Sequence, residues 1–249
     1  MACATFSREG RDSPREGAMV ESAFDKDAVK RYRAAATELH ELSTRVEQQI
    51  DSAFENGNNQ AAHDALVELK ASGVELEKLR ATLTPTDLFI AKYNIEVHGA
   101  HEVSFVLPER VSRYEMLCEA QGVVTERDLV WPTQLKQWAS DQKFTVPTLA
   151  PERIQIDGHV DGGDGKTRAR QEAFLTRKKL PLANLEDLAA AFVAHYVATG
   201  EDLFEDKAVR AAGGALYFFG RGLCVDGIVD RSGYSGVAVS ARVPRNSKN

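Results

Sequence analysis

The feature that most constrains this chain is the periodicity of residues 25–83. Tyr32, Ala35, Leu39, Leu42, Val46, Gln49 and Ala53 step by three and four, the spacing that keeps side chains on one face of a helix. After the polar segment ENGNNQ, the set Ala62, Ala65, Leu69, Ser72, Leu76, Leu79 and Leu83 repeats the step. Two helices with one seam each, joined by a short Asn/Gly turn at 56–59, bury those seams by folding back on one another. An antiparallel helical hairpin is therefore predicted over 25–83. Ala35, Ser72 and Gly73 are small for such a seam, so the hairpin is expected to pack against the rest of the chain or another subunit. A homo-oligomer through residues 25–83 is the expected form of the second option.

The chain has 249 residues and a formal charge of −6. That length holds one large domain or a domain with an appendage, and the acidic balance argues against nucleic acid as the main partner. The basic group Arg168, Arg170, Arg177, Lys178 and Lys179 reads as a solvated helix face. Three cysteines, Cys3, Cys118 and Cys224, without a C-x-x-C pair, point to a reducing compartment. With no secretory apolar core and no membrane-spanning run, a cytoplasmic protein is expected. Residues 1–24 are polar and are expected to be a disordered leader; 25–100 form the hairpin and a connector.

Beyond the hairpin the pattern changes. Leu88 to Val97 fits helix or strand, EVSFVL (102–107) alternates as a strand, and Pro108 is expected to open a helix through Gln121. Val111, Tyr114, Leu117 and Cys118 share a face there, which makes Cys118 a core thiol. Trp131-Pro132-Thr133 leads a short helix, with Trp131 and Trp138 as core anchors. Arg153 to Ile156 is strand-like. Asn184 caps a helix from Leu185 to Thr199 that Gly200 ends, with Leu185, Leu188, Phe192 and Tyr196 on one face.

Catalytic and cofactor chemistry finds little support. Gly165-Lys166-Thr167 suggests a phosphate loop, but the position five before Gly165 is Val160, where the backbone needs Gly to wrap a phosphate. Asp157, Asp161 and Asp164 lack the spacing of an EF-hand loop. His159 has no neighbouring His or Cys, and His195 reads as a structural histidine. No cofactor, no metal and no enzymatic activity is expected.

The stretch Leu216 to Val243, LYFFGRGLCVDGIVDRSGYSGVAVSARV, contains no Lys, Glu, Gln, Met, Trp or Pro. Leu223 and Val225, then Val237, Val239 and Ala241, alternate as half-buried strands and predict a terminal antiparallel β-ribbon. The segment between them, Asp226 to Gly236, reads as a loop rich in contact-making side chains. If Leu223, Val225, Val237 and Val239 face the core, alternation turns Cys224 and Asp226 outward. Likewise Tyr217, Phe219 and Arg221 face out if Leu216 and Phe218 point in. With Ile228, Asp230, Arg231 and Tyr234 from the loop, these make a surface rich in aromatic and Arg contacts, the residue types that dominate recognition surfaces.

Gly222, Leu223 and Val225, followed by Gly236, Val237, Val239, Ser240 and Ala241, resemble the G-L-x-V and G-V-x-V-S-A strands of the variable proteins of diversity-generating retroelements. Those proteins have a C-type-lectin-like, formylglycine-generating-enzyme-like fold. The resemblance covers about the last forty residues. It implies a C-type-lectin-like domain over 101–249, an α+β chain overall, and a diversified surface binding a protein or other macromolecular ligand without catalysis. It also implies variable codons built on AAC or AAT, which cannot yield Lys, Glu, Gln, Met or Trp, the restriction seen from Leu216 to Val243. The cysteine pair of formylglycine-generating enzymes and the sugar-binding triplets of calcium-dependent lectins are absent. The competing expectation is a structural or assembly subunit, of a phage or cell surface, held by its hairpin.

Overall fold

Asp25 accepts a hydrogen bond from the Ala28 amide at 2.9 Å, a side-chain cap that starts the first and longest helix, α1 (Lys26–Asn56). The computed structural model describes residues 25–56, 59–158, 160, 166–204, 208–219, 222–226, 235–237 and 239–240. Helix α2 (Asn59–Arg80) packs on α1 through Leu42, Val46 and Ala65, with Ile50 and Leu69 beside them. That cluster is separate from the main core. The start of α1 is tied to the body instead: Val29 is buried in the main core, Tyr32 packs against it, and Arg33 Nη2 donates to the Ile90 carbonyl at 2.6 Å.

The connector resolves into helix α3 (Pro85–Lys92) and a two-residue strand β1 (Glu96–Val97). A Thr84/Asp87 capping box opens α3, with Pro85 at its first position. β1 pairs with β2 (Glu102–Leu107), and β2 pairs antiparallel with β3 (Glu152–Asp157), Val103 opposite Ile156 and Phe105 opposite Ile154. Helix α4 runs over Arg113–Val123 and not from Pro108. Ser112 and Glu115 form a second capping box there, while Arg110 takes a φ of +64° in the preceding turn. The cap outcompetes the proline as the start signal. Cys118 is half-buried rather than a core thiol. Short helices α5 (Pro132–Trp138) and α6 (Gln142–Thr145) follow, and Trp138 stacks on Phe144 with centroids 4.3 Å apart; Trp138 is the core anchor, Trp131 only half-buried.

Helix α7 (Arg168–Lys178) keeps its basic side chains exposed and buries Gln171 and Leu175. Helix α8 (Leu185–Thr199) ends at Gly200 in the left-handed conformation, φ 75°. Every residue from Asp187 to Val197 is buried, so α8 is enclosed on all sides and has no single apolar face. At its first turn Asp187 receives Arg113 Nε at 2.8 Å, while Arg113 Nη2 reaches Glu152 at 2.9 Å. One guanidinium thus joins α4, α8 and β3.

Five strands follow α8: β4 (Ala208–Ala211), β5 (Gly214–Phe219), β6 (Gly222–Asp226), β7 (Ser235–Val237) and β8 (Val239–Ser240). The second sheet has the order β6-β5-β4-β7, and β8 leaves it to pair with β3, giving the first sheet the order β1-β2-β3-β8. The protein is thus mixed α+β, with eight helices and two small sheets among the described residues. The G-L-x-V and G-V-x-V segments do not form the expected ribbon. β6 pairs antiparallel with β5, β7 pairs parallel with β4, and β8 pairs antiparallel with β3. The register lets each terminal segment fill a vacant strand edge, which a two-stranded ribbon would leave open.

β6 is covered on its outer edge by the chain before α5. Leu223 N donates to the Leu129 carbonyl at 2.8 Å and Trp131 N to the Leu223 carbonyl at 3.0 Å. Gly222 makes this approach possible. Its φ is +102°, and a Cβ there would lie 2.7 Å from Trp131 N and 2.8 Å from the Val130 carbonyl carbon, both backbone. Gly222→Ala is therefore expected to cost about 2–4 kcal/mol, combining backbone strain with displacement of the Leu129–Trp131 segment. Denaturant unfolding measures it, and a loss under ~0.5 kcal/mol would show that the segment moves aside freely.

Candidate recognition surface

The second sheet has two faces with different fates. Tyr217 lies opposite Cys224 and Ala215 opposite Asp226, while Leu216 lies opposite Val225 and Phe218 opposite Leu223. The set Leu216, Phe218 and Leu223 points into the main core, with Val225 packed against it. Tyr217 and Cys224, opposite one another, take the alternate positions of these strands.

That other face is not simply open. Cys224 is only 4% exposed, and Ala215 and Arg210 beside it are buried as well. Cys224 is thus corrected from a contact residue to a covered one, its thiol directed at the Tyr217 carbonyl, 3.8 Å away. The reason lies in small side chains and a neighbouring helix: Gln171 of α7 accepts from Arg210 Nε at 2.6 Å. Tyr217 is half-buried. In the backbone pairing Phe219 lies opposite Gly222 and Asp226 opposite Ala215. Arg221, Ile228, Asp230, Arg231 and Tyr234 lie outside the described residues.

One exposed side chain near this sheet escaped the sequence reading. Arg127 sits over the rings of Tyr196 and Phe218, 5.0 and 5.3 Å from their centroids, a cation–π arrangement at the margin of an aromatic group formed by Phe192, Tyr196, Phe204 and Phe218. No local pattern marks Arg127. It depends on the pairing of residues 129–131 with β6, a contact between segments about ninety positions apart.

Other polar groups are structural in their surroundings. His195 is buried, and its Nδ1 donates to the Glu201 carbonyl at 3.1 Å. Burial pushes its pKa below the usual histidine value, against the raising influence of the Glu201 carbonyl and carboxylate, with His101 lowering it further. Glu115 is held below the usual carboxylate range, first by the Ser112 backbone amide and hydroxyl. Tyr93 is pushed up by burial and by Glu119, which accepts its hydroxyl at 2.9 Å. Among the described residues no group of three or more His, Cys, Asp or Glu could hold a metal ion, and no helix is long and apolar enough to cross a membrane. Of the Asp157, Asp161 and Asp164 loop, only Asp157 lies within the described residues. The chain matches no protein-family model, no curated protein and no solved structure.

The depressed pKa of His195 fixes the sign of one pH effect. The unfolded chain takes up this proton near 6.5 and the folded chain only at lower pH, so the contribution to stability is complete above 6.5 and is lost as pH falls toward the folded value. The melting temperature is expected to fall below pH 6.5, and His195→Gln should flatten that part of the profile. An unchanged slope in the variant would assign the effect to other groups.

Proposed function

We propose that this protein is a non-catalytic binding protein whose C-terminal strands and the loop between them form a sequence-diversified recognition surface, carried by a C-type-lectin-like domain over residues 101–249. The observation that carries this reading is the division of β5 and β6 into two sides: Leu216, Phe218 and Leu223 are held in the main core, while half-buried Tyr217 lies across from Cys224 on the other side.

In this reading the contact surface consists of Tyr217, Phe219, Arg221 and Asp226 with Ile228, Asp230, Arg231 and Tyr234, while Cys224 is covered. The order of helices before the terminal strands is compatible with the lectin-like folds that the C-terminal motifs resemble. The restricted alphabet from Leu216 to Val243 supports diversification through AAC and AAT codons. The expected ligand is a protein or other macromolecule met in the cytoplasm, and the hairpin of α1 and α2 holds the binding domain to its surroundings.

A second reading, a structural or assembly subunit, is favoured by the thin core between α1 and α2, which is separate from the main one. Nucleotide sequencing of the encoding locus across a population separates the two. The expected result is a near-copy of the 3′ end beside a reverse-transcriptase gene, differing mainly at adenines and changing codons 217–234. A uniform 3′ end without such a copy would overturn diversification. In the protein, Tyr217→Ala and Tyr234→Ala should each cost under ~1 kcal/mol, as surface changes do, whereas Phe218→Ala should cost about 3–5 kcal/mol as a core truncation. A large loss at Tyr217 or Tyr234 would mark the surface as packing.

A further inference from the structure

We propose that the cleft between α1, the end of α2 and α3 is a binding site for a small organic phosphate, its head held by Arg33, Arg80 and Lys92 and its apolar body lodged against Tyr32 and Leu88. The cleft measures about 610 Å³, within the range of small-molecule sites. Helical spacing builds its two long walls. Tyr32, Arg33 and Ala36 share one face of α1, and Leu88, Ala91 and Lys92 share one face of α3. Ala36 and Ala91 are too small to fill the space between the helices, and Arg80, the last residue of α2, closes one end.

Arg33 is what calls for an anion. It is half-buried, and its Nη2 donates to the Ile90 and Ile95 carbonyls at 2.6 and 3.5 Å. Its Nε is buried without a hydrogen-bond partner, and among the described residues no carboxylate forms an ion pair with this guanidinium. Burial pulls its pKa down against the opposing influence of Glu96, and Glu96 is itself engaged by Arg153 at 2.8 Å. A cation taken out of water without an ion partner is costly, and an oxyanion in the cleft offsets that cost. Arg80 and Lys92 do have carboxylates, Glu77 at 3.4 Å and Glu119 at 2.5 Å, but both pairs are exposed. Pairs of that kind are worth little, so either cation turns to a ligand at small cost. Neither Glu77 nor Glu119 lines the cleft, whose charged wall is three cations and no carboxylate. A phosphate monoester, with up to two charges and three acceptor oxygens, suits that wall better than a carboxylate with one charge. This inference does not rest on the recognition reading, because the cleft lies outside the second sheet altogether.

The test is titration of the full chain with phenyl phosphate, read by calorimetry and by amide chemical shifts. The expected result is a one-to-one complex with a Kd of about 1 mM or tighter, its largest shifts at residues 32–37 and 88–94; no binding by about 10 mM, or shifts centred elsewhere, overturns the proposal. Inorganic phosphate and benzyl alcohol each lack one half of the ligand and should bind at least about 10-fold more weakly. Equal binding of either overturns the assignment to an organic phosphate, and benzoate binding as tightly overturns the choice of head group. Arg80→Gln and Lys92→Gln each remove only an exposed ion pair from the fold, and each should weaken binding at least about 5-fold with helical circular dichroism unchanged. Ala36→Phe should abolish binding by filling the cleft. Binding that survives either kind of change overturns the site, and should Ala36→Phe lose helicity, the two glutamine variants decide.

Discussion

A helix buried on all sides is a demand before it is a support, and α8 places that demand on the whole domain. From Asp187 to Val197 it offers no polar face to water, so it is stable only when covered all round. α4 and α3 cover it together with β2 and β3, and β5 closes the side toward the second sheet. The aromatic group of Phe192, Tyr196, Phe204 and Phe218 fills that last contact. Neither sheet is large enough to hide both of its own faces, and the helix they share makes them one core. The Arg113 link to Asp187 and Glu152 sits where α8 begins. Removing one partner of such a half-buried group strands the other, which gives the link more weight for geometry than for net stability.

This core explains what fixes the sheet that carries the candidate contact residues. Leu216, Phe218 and Leu223 are bound to α8 and the main core, and β6 is clamped on its outer edge by residues 129–131. On the opposite side Cys224, Ala215 and Arg210 are buried too, with Arg210 donating to Gln171.

Legibility followed the range of the signal. The seams of α1 and α2, the alternation of EVSFVL, and the Gly200 stop of α8 are local patterns, and each placed its element correctly. α4 starts at the Ser112/Glu115 box, whose cap residue lies four positions beyond Pro108, because the box supplies hydrogen bonds that the proline does not. The partners of the terminal strands were not legible at all. G-L-x-V and G-V-x-V show alternation, but alternation is silent on which edge a strand will join, and the edges of β3 and β4 are set by residues far upstream. The same limit hid the burial of Cys224, since period two divides a strand into two faces without saying that both will be covered.

The two pairings made by residues 235–240 have a consequence for how the protein is made. β4 and β3 each wait for a neighbour contributed by the last described strands, and the β3 partner lies more than eighty residues downstream. Until residues 235–240 pair, one edge of β3 and one edge of β4 lack the neighbours they have in the folded chain. Contacts this distant in sequence slow folding, and bare edges invite pairing with other nascent chains. α1 and α2 share a seam of their own, apart from the main core, so their contact can form before those edges are closed.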